Sequence, residues 1–162
     1  MLPPPASEGR ALADRLALAI ATGLGAGYVP VAPGTAGTVI AVPLFWGLSH
    51  LSAWEQLATT SAFALLAVWA AQRAGKRLGD PDDPRIVCDE IAGFLVTLAL
   101  LPATPRVLAL GFVLFRALDQ LKPWPASHFD RRVKNGWGNV LDDVVAGLYG
   151  RACLGLLLAL WR

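Results

Sequence analysis

At 162 residues the chain suits a single domain. It is 55% hydrophobic and 16% charged, with a mean hydropathy of +0.50, which is too apolar for an ordinary soluble domain of this size. A net charge of +2, with cations gathered in loops rather than along a stripe, argues against a nucleic-acid binder, and the spacing of Cys88 and Cys153 fits neither a zinc site nor a disulfide framework.

Residues 1–9 carry Pro3, Pro4 and Pro5 and read as a loose, flexible tail ahead of a single domain over 10–162. Residues 10–27 have an apolar face behind Arg10, Asp14 and Arg15. Asp14 interrupts the basic region that a signal peptide needs, so this is read as a retained helix lying at the membrane interface. Residues 28–38, YVPVAPGTAGT, read as a loop by their proline and glycine content. Apolar runs follow at 38–51 (with Pro43 inside), 55–72, 90–101, 106–121 and 144–161, the last broken only by Arg151. Their lengths are those of helices, not strands. Several are shorter than the ~20 residues that span a bilayer. Two architectures compete: short or tilted membrane helices, or a compact bundle seated partly in the membrane. The first is favoured. The expected fold is all-α, a small integral membrane bundle of about five short transmembrane helices plus the interfacial helix.

Loop charges orient it. Arg10 and Arg15, then Arg73, Lys76, Arg77 and Arg85, then Lys122, Arg131, Arg132 and Lys134 fall on alternate connections; residues 49–54 carry no cation and the third connection only Arg106. The positive-inside rule places the N-terminus in the cytoplasm and the C-terminus outside. Four polar segments then share the cytoplasmic face: PGTAGT, residues 80–90, Asp119, and residues 130–143.

These segments hold most of the acids. Asp89 and Glu90 open the third run, where capping and the helix dipole account for one carboxylate but not for two. Asp142 and Asp143 open the last run, pointing about 100° apart. Asp119 closes the fourth run, where a negative charge opposes the dipole. Either it pairs with Arg116 or Lys122, three residues away on each side, or it is a metal ligand; the number of other acids favours the ligand. The stretch from Gly34 to Thr38 leads into a helix and offers backbone N–H groups to an anion, though taken alone a plain turn is the favoured reading. His50 and His128 lie in no metal spacing, and Arg151 either faces the bundle interior or snorkels.

The series PGTAGT, DEIAG, FRALDQLKPWP, FDRR and GWGNVLDDVVAG, in this order over residues 23–150, resembles the phosphatidylglycerophosphatase A family. The resemblance implies a multi-pass hydrolase of the bacterial inner membrane, dependent on Mg2+, that converts phosphatidylglycerophosphate to phosphatidylglycerol and phosphate in phospholipid biosynthesis. By position it implies catalytic and metal-binding roles for Asp89, Glu90, Asp119, Asp142 and Asp143. Phosphate binding falls on Thr35, Gly37, Thr38, Arg116, Lys122, Asp130, Arg131 and Arg132. Asn135 stands where the family often has a second glycine, and Asn139 where an apolar residue is expected. Neither cysteine begins a Cys-x5-Arg loop, and the chain has no DxDx(T/V) aspartyl-nucleophile motif and no histidine-centred lipid-phosphatase signature, which leaves metal-assisted hydrolysis. Two alternatives of other classes are a CDP-alcohol phosphotransferase, whose DGxxAR-type run is missing, and a non-catalytic membrane scaffold or transporter.

Overall fold

In the computed structural model, which describes residues 8–161, every regular element is helical. The order is α1 (Glu8–Ala21), a 3-10 turn (Ala26–Tyr28), α2 (Pro33–Leu48), α3 (Ala53–Leu78), α4 (Cys88–Leu98), α5 (Pro105–Leu121), α6 (Ala126–Arg132) and α7 (Gly136–Leu160). The all-helical class stands; of the expected tail, residues 1–7 lie outside the described residues.

Local chemistry sets the boundaries. Ser52 and Glu55 form a capping box that starts α3, and Gly79, at φ 87°, ends it. Thr104 accepts from the Val107 amide ahead of Pro105 in α5. Asn135 Oδ1 accepts from the amides of Trp137 and Gly138 and starts α7, which gives the unexpected Asn135 a structural role.

Three expectations shift. PGTAGT forms the first turns of α2 instead of a loop: Pro33 sits at the helix start, where its fixed φ and missing N–H cost nothing, and Gly37 allows α2 to lie against Val87. The polar connection contains a helix of its own, α6. And α7 begins at Gly136, not at 144, because the polar residues before 144 hide a backbone that is already helical. Asp142 and Asp143 therefore lie beyond its first turn, where capping does not account for them.

Helix α4 is the centre. Ile91, Ala92, Phe94, Leu95 and Leu98 are all buried, with α2, α3, α5 and α7 around them. Its closest neighbour is α7. A Cβ on Gly93 would meet the Asp143 carbonyl oxygen at 2.6 Å, and one on Gly147 would run into the Gly93 carbonyl oxygen. Glycine on both helices lets the backbones touch and sets the acids of α7 beside those of α4. Outside this core, α1 packs on α3, joined by Arg73 Nη1 to Asp14 Oδ1 at 2.6 Å.

The helices alternate in direction. The starts of α2, α4 and α7, the end of α5 and the loop between α3 and α4 meet at one end of the bundle, around a shared cavity. The other end is tied by Gln56, which donates to the Leu48 carbonyl at 3.1 Å and accepts from the Leu100 amide. Arg151 also belongs there: its Nε donates to the Ala99 carbonyl at 2.7 Å, just past the C-terminus of α4, where a cation complements the helix dipole. Among the described residues, α7 alone is long and apolar enough to cross a membrane. Large exposed side chains such as Val113, Leu156, Leu160 and Trp54 add to the apolar surface that makes membrane association the fitting setting.

Candidate active site

The cavity between the helix ends measures about 220 Å³. Seven carboxylates line it against two cations, Arg116 and Lys122. Such an excess of negative charge in a half-buried hollow calls for a bound cation or protons.

Five of the carboxylates are those picked out from the sequence, and they divide into two kinds. Asp89, Glu90 and Asp143 each offer an oxygen, all within 4.8 Å of one another. The contact of α4 with α7 at Gly93 and Gly147 makes this possible, since it brings the first turn of α4 level with Asp143. The other two are held by cations. Asp119 Oδ2 lies 2.6 Å from Arg116 Nη1, and Glu90 Oε1 lies 3.8 Å from the same nitrogen. Asp142 Oδ2 lies 2.6 Å from Lys122 Nζ, which also binds Asp130 Oδ1 at 2.6 Å. The ion-pair geometry weighed for Asp119 is thus present, and it faces the same cavity as the trio.

Burial works against the Lys122 ammonium, but its hydrogen bonds to Asp130 and Asp142 outweigh that and hold the lysine pKa above its ordinary value. Burial likewise opposes the Asp130 carboxylate, and the Lys122 bond prevails, so its pKa falls below the usual carboxylate range. Both groups stay charged at neutral pH.

The donor set fits a small hard divalent ion. All three clustered groups are carboxylates, the ligand type magnesium takes through one or two oxygens while keeping its water. Glu90 Oε2 is buried without a hydrogen-bond partner, and so is Arg116 Nε. One is an acceptor that a cation would satisfy, the other a donor that an anionic oxygen would satisfy. Space is reserved as well: a Cβ on Gly34 would collide with Glu90 Oε1 and come within 3.2 Å of Arg116 Nη1.

The remaining sequence-picked residues lie elsewhere. Thr38 is buried and donates its hydroxyl to the Gly34 carbonyl at 2.9 Å, and Gly37 packs on Val87. Thr35 lines an apolar hollow with Val31, Val39 and Ile40. Asp130 reaches the site only through Lys122, while Arg131 and Arg132 are exposed at the end of α6. Conversely, Asp83 and Asn139 line the cavity and were not picked, and Gly34, named from the sequence only as the start of an amide-bearing stretch, lines it as well. Asp83 is held by Arg85 through two contacts, 2.7 and 2.6 Å, and Asn139 Nδ2 donates to the Pro81 carbonyl at 2.6 Å. The signal for Asn139 was its polarity where an apolar residue is expected; for Asp83 it was the paired arginine two residues on.

Residues 19–158 match the family described as phosphatidylglycerophosphatase A. The chain is 38% identical over 137 residues to phosphatidylglycerophosphatase A of Escherichia coli, covering 83% of this chain and 79% of that one. It is 37% identical over 135 residues to phosphatidylglycerophosphatase A of Haemophilus influenzae, covering 80% and 81%. A third relative, from Bacteroides thetaiotaomicron and named provisionally as a phosphatidylinositol-3-phosphatase, is 36% identical over 143 residues, covering 83% and 88%. No solved structure matches the chain. A family match over residues 19–158, with relatives 36–38% identical over most of the chain, makes this chain a member of the phosphatidylglycerophosphatase A family.

Proposed function

We propose that the chain is a lipid phosphatase that hydrolyses the terminal phosphomonoester of phosphatidylglycerophosphate, with magnesium held by Asp89, Glu90 and Asp143. Family membership supports the lipid and the reaction. The observation that carries the chemistry is the trio of carboxylate oxygens within 4.8 Å, set beside a buried guanidinium nitrogen with no partner.

Magnesium, when bound, supplies polarisation of the phosphoryl group and a more acidic water. The protein does the rest by position. Arg116 is the first contact for the phosphoryl oxygens: Asp119 fixes its Nη1, and its Nε remains to donate. Gly34 leaves the opening through which the phosphate reaches Glu90 and Arg116. Lys122 keeps its charge and pins Asp142 and Asp130, so the end of α5 and the start of α7 keep their spacing. Water adds to phosphorus and gives up a proton, the bond from phosphorus to the glycerol oxygen breaks, and that oxygen takes up a proton and leaves as an alcohol. At about 220 Å³ the cavity admits a phosphate end and leaves the diacylglycerol part outside, in the bilayer. That suits a lipid substrate.

The same reading places α2, α3, α4, α5 and α7 as five short spans in the bacterial inner membrane, with α1 at its surface. The cavity opens on the cytoplasmic side, at the level of the headgroups. Its support is the alternation of helix ends and the cations at the cavity end, Lys76, Arg77, Lys122 and Lys134. Phosphate release from phosphatidylglycerophosphate in mixed micelles, with magnesium and with a chelator, tests the reaction. Release that is unaffected by the chelator sinks the metal; release from phosphatidylinositol 3-phosphate but not from phosphatidylglycerophosphate sinks the substrate.

A further inference from the structure

A second hollow lies on another face of the bundle. It is a cleft of about 870 Å³ between α3 and the start of α7, with Asp14 of α1 at its edge. Arg73, Lys76 and Arg77 line one end, together with Trp69 and Trp137. Asp14 answers Arg73, while Lys76 and Arg77 are exposed and make no ion pair among the described residues. The Arg73 guanidinium also lies 5.5 Å from the Trp69 ring centre.

The other end adjoins an apolar groove of about 300 Å³, which shares Leu65, Val68 and Trp137 with the cleft. Ala64 of α3 and Val140, Leu141 and Val144 of α7 wall it, and Val96 of α4 forms its floor. From Ser61 to Arg77 the α3 side rises about 24 Å at ~1.5 Å per residue.

We propose that this groove binds one anionic glycerophospholipid, with its phosphate on Lys76 and Arg77, its glycerol region between Trp69 and Trp137, and an acyl chain along Leu65, Val68 and Leu141. Cations at one end, indoles at the junction and apolar walls beyond match the order of charge and polarity along such a lipid. A protein partner would have no use for that gradient. The site is separate from the acidic cavity. The two share no lining residue: Gln72 on the cleft side accepts from the Gly136 amide at 2.9 Å, and Asn139 on the cavity side donates to the Pro81 carbonyl. It therefore holds a lipid other than the one undergoing reaction, and it stands whether or not the acidic cavity is a phosphatase centre.

The full chain in phosphatidylcholine nanodiscs, doped with phosphatidylglycerol carrying brominated acyl chains, tests this through quenching of indole fluorescence. The expected result is a saturable component that falls in Trp137→Phe, disappears when Trp69→Phe is added, and is absent when the brominated lipid is phosphatidylcholine. Lys76→Gln with Arg77→Gln, two exposed changes, should move its midpoint to roughly tenfold higher lipid fraction, with the helical content unchanged. Equal quenching of Trp137 by brominated phosphatidylcholine overturns the proposal, as does an unmoved midpoint in the double variant. Displacement by soluble glycerol 3-phosphate at the lipid's own concentration would make it a plain anion site. A midpoint shifted by Asp143→Asn would make it an arm of the acidic cavity.

Discussion

Gly34 lies against Glu90 so closely that any Cβ there would collide with Glu90 Oε1, and would also come within 3.2 Å of Arg116 Nη1. The backbone of α2 thus forms one wall of the cavity, and the wall works only as glycine. Gly34→Ala should leave the bundle folded, because the clash is with two side chains rather than with packed backbone. It should displace Glu90 and Arg116 by enough to lower turnover about 100-fold. Gly37→Ala is the contrast. There the added carbon meets Val87 Cβ at 2.7 Å and the Val87 carbonyl oxygen at 3.0 Å, so thermal stability should fall instead. Phosphate release and melting temperature, measured on both variants, separate the two effects. Equal activity of Gly34→Ala and the parent chain would remove Glu90 and Arg116 from the reaction.

The two kinds of carboxylate should differ in their dependence on metal. Asp143→Asn removes one of the three clustered oxygen donors and should raise the magnesium needed for half-maximal activity about 10- to 100-fold. Asp119→Asn weakens the grip on Arg116 and should lower turnover about 100-fold, with the magnesium requirement within about threefold of the parent. Magnesium titrations of initial rate on both variants decide this. A large metal shift in Asp119→Asn would move Asp119 into the ligand set.

Lys122 was expected from the sequence to touch phosphate; in the fold it binds Asp130 and Asp142, and the Asp142 side chain is only 3% exposed. Removing the lysine strands a buried carboxylate. Lys122→Ala should therefore destabilise the protein by about 3 kcal/mol, as well as slow it. Adding Asp142→Asn should recover much of the melting temperature but not the activity. If Lys122→Ala melts like the parent, the pair does not hold α5 to α7.

The sequence shows its helices wherever apolar residues run unbroken, and loses them where function interrupts the pattern. α4 and α5 were legible because their faces are continuous. The first two turns of α7 were not, because Asn139, Asp142 and Asp143 put polar groups on its buried side. α6 was hidden for a similar reason: seven residues rich in charge give no periodicity to read. The acids could be picked one by one from their positions at helix ends. Their division into a clustered trio and two cation-held carboxylates could not, because it depends on the contact between Gly93 and Gly147, fifty-four residues apart. Motif order drew attention to Thr35 and Thr38, whereas Gly34 and Asn139 line the cavity.

The loop before α4 should carry a pH signature. Asp83 is held by the Arg85 side chain and lies below the usual carboxylate range, against the opposing effect of burial. A depressed folded pKa means that its stabilisation is complete above the unfolded value of about 3.9. It is lost as pH falls through the lower folded value. Asp83→Asn should thus melt below the parent at pH 7, and the gap should close in acid, once the parent's Asp83 is protonated. Melting curves across that range check it. A gap that persists below the folded pKa would trace the loss to packing rather than to charge.

The direction of the bundle in the membrane can be read with two engineered cysteines. Leu51, in the turn between α2 and α3, is 40% exposed at the end tied by Gln56; His128, on α6, is exposed at the cavity end. Cys88 is buried and silent, while Cys153 is exposed and must first be changed to alanine. In that background, Leu51→Cys should react with a membrane-impermeant maleimide in intact spheroplasts. His128→Cys should react only after permeabilisation. Five spans require the two ends to lie on opposite sides, and the cation-rich cavity end to be cytoplasmic. The reverse pattern inverts the protein and puts the cavity outside. Labelling of both sites without permeabilisation would mean that the helices do not cross the bilayer between them, and that α7 is at most a lone span on a bundle resting at the surface.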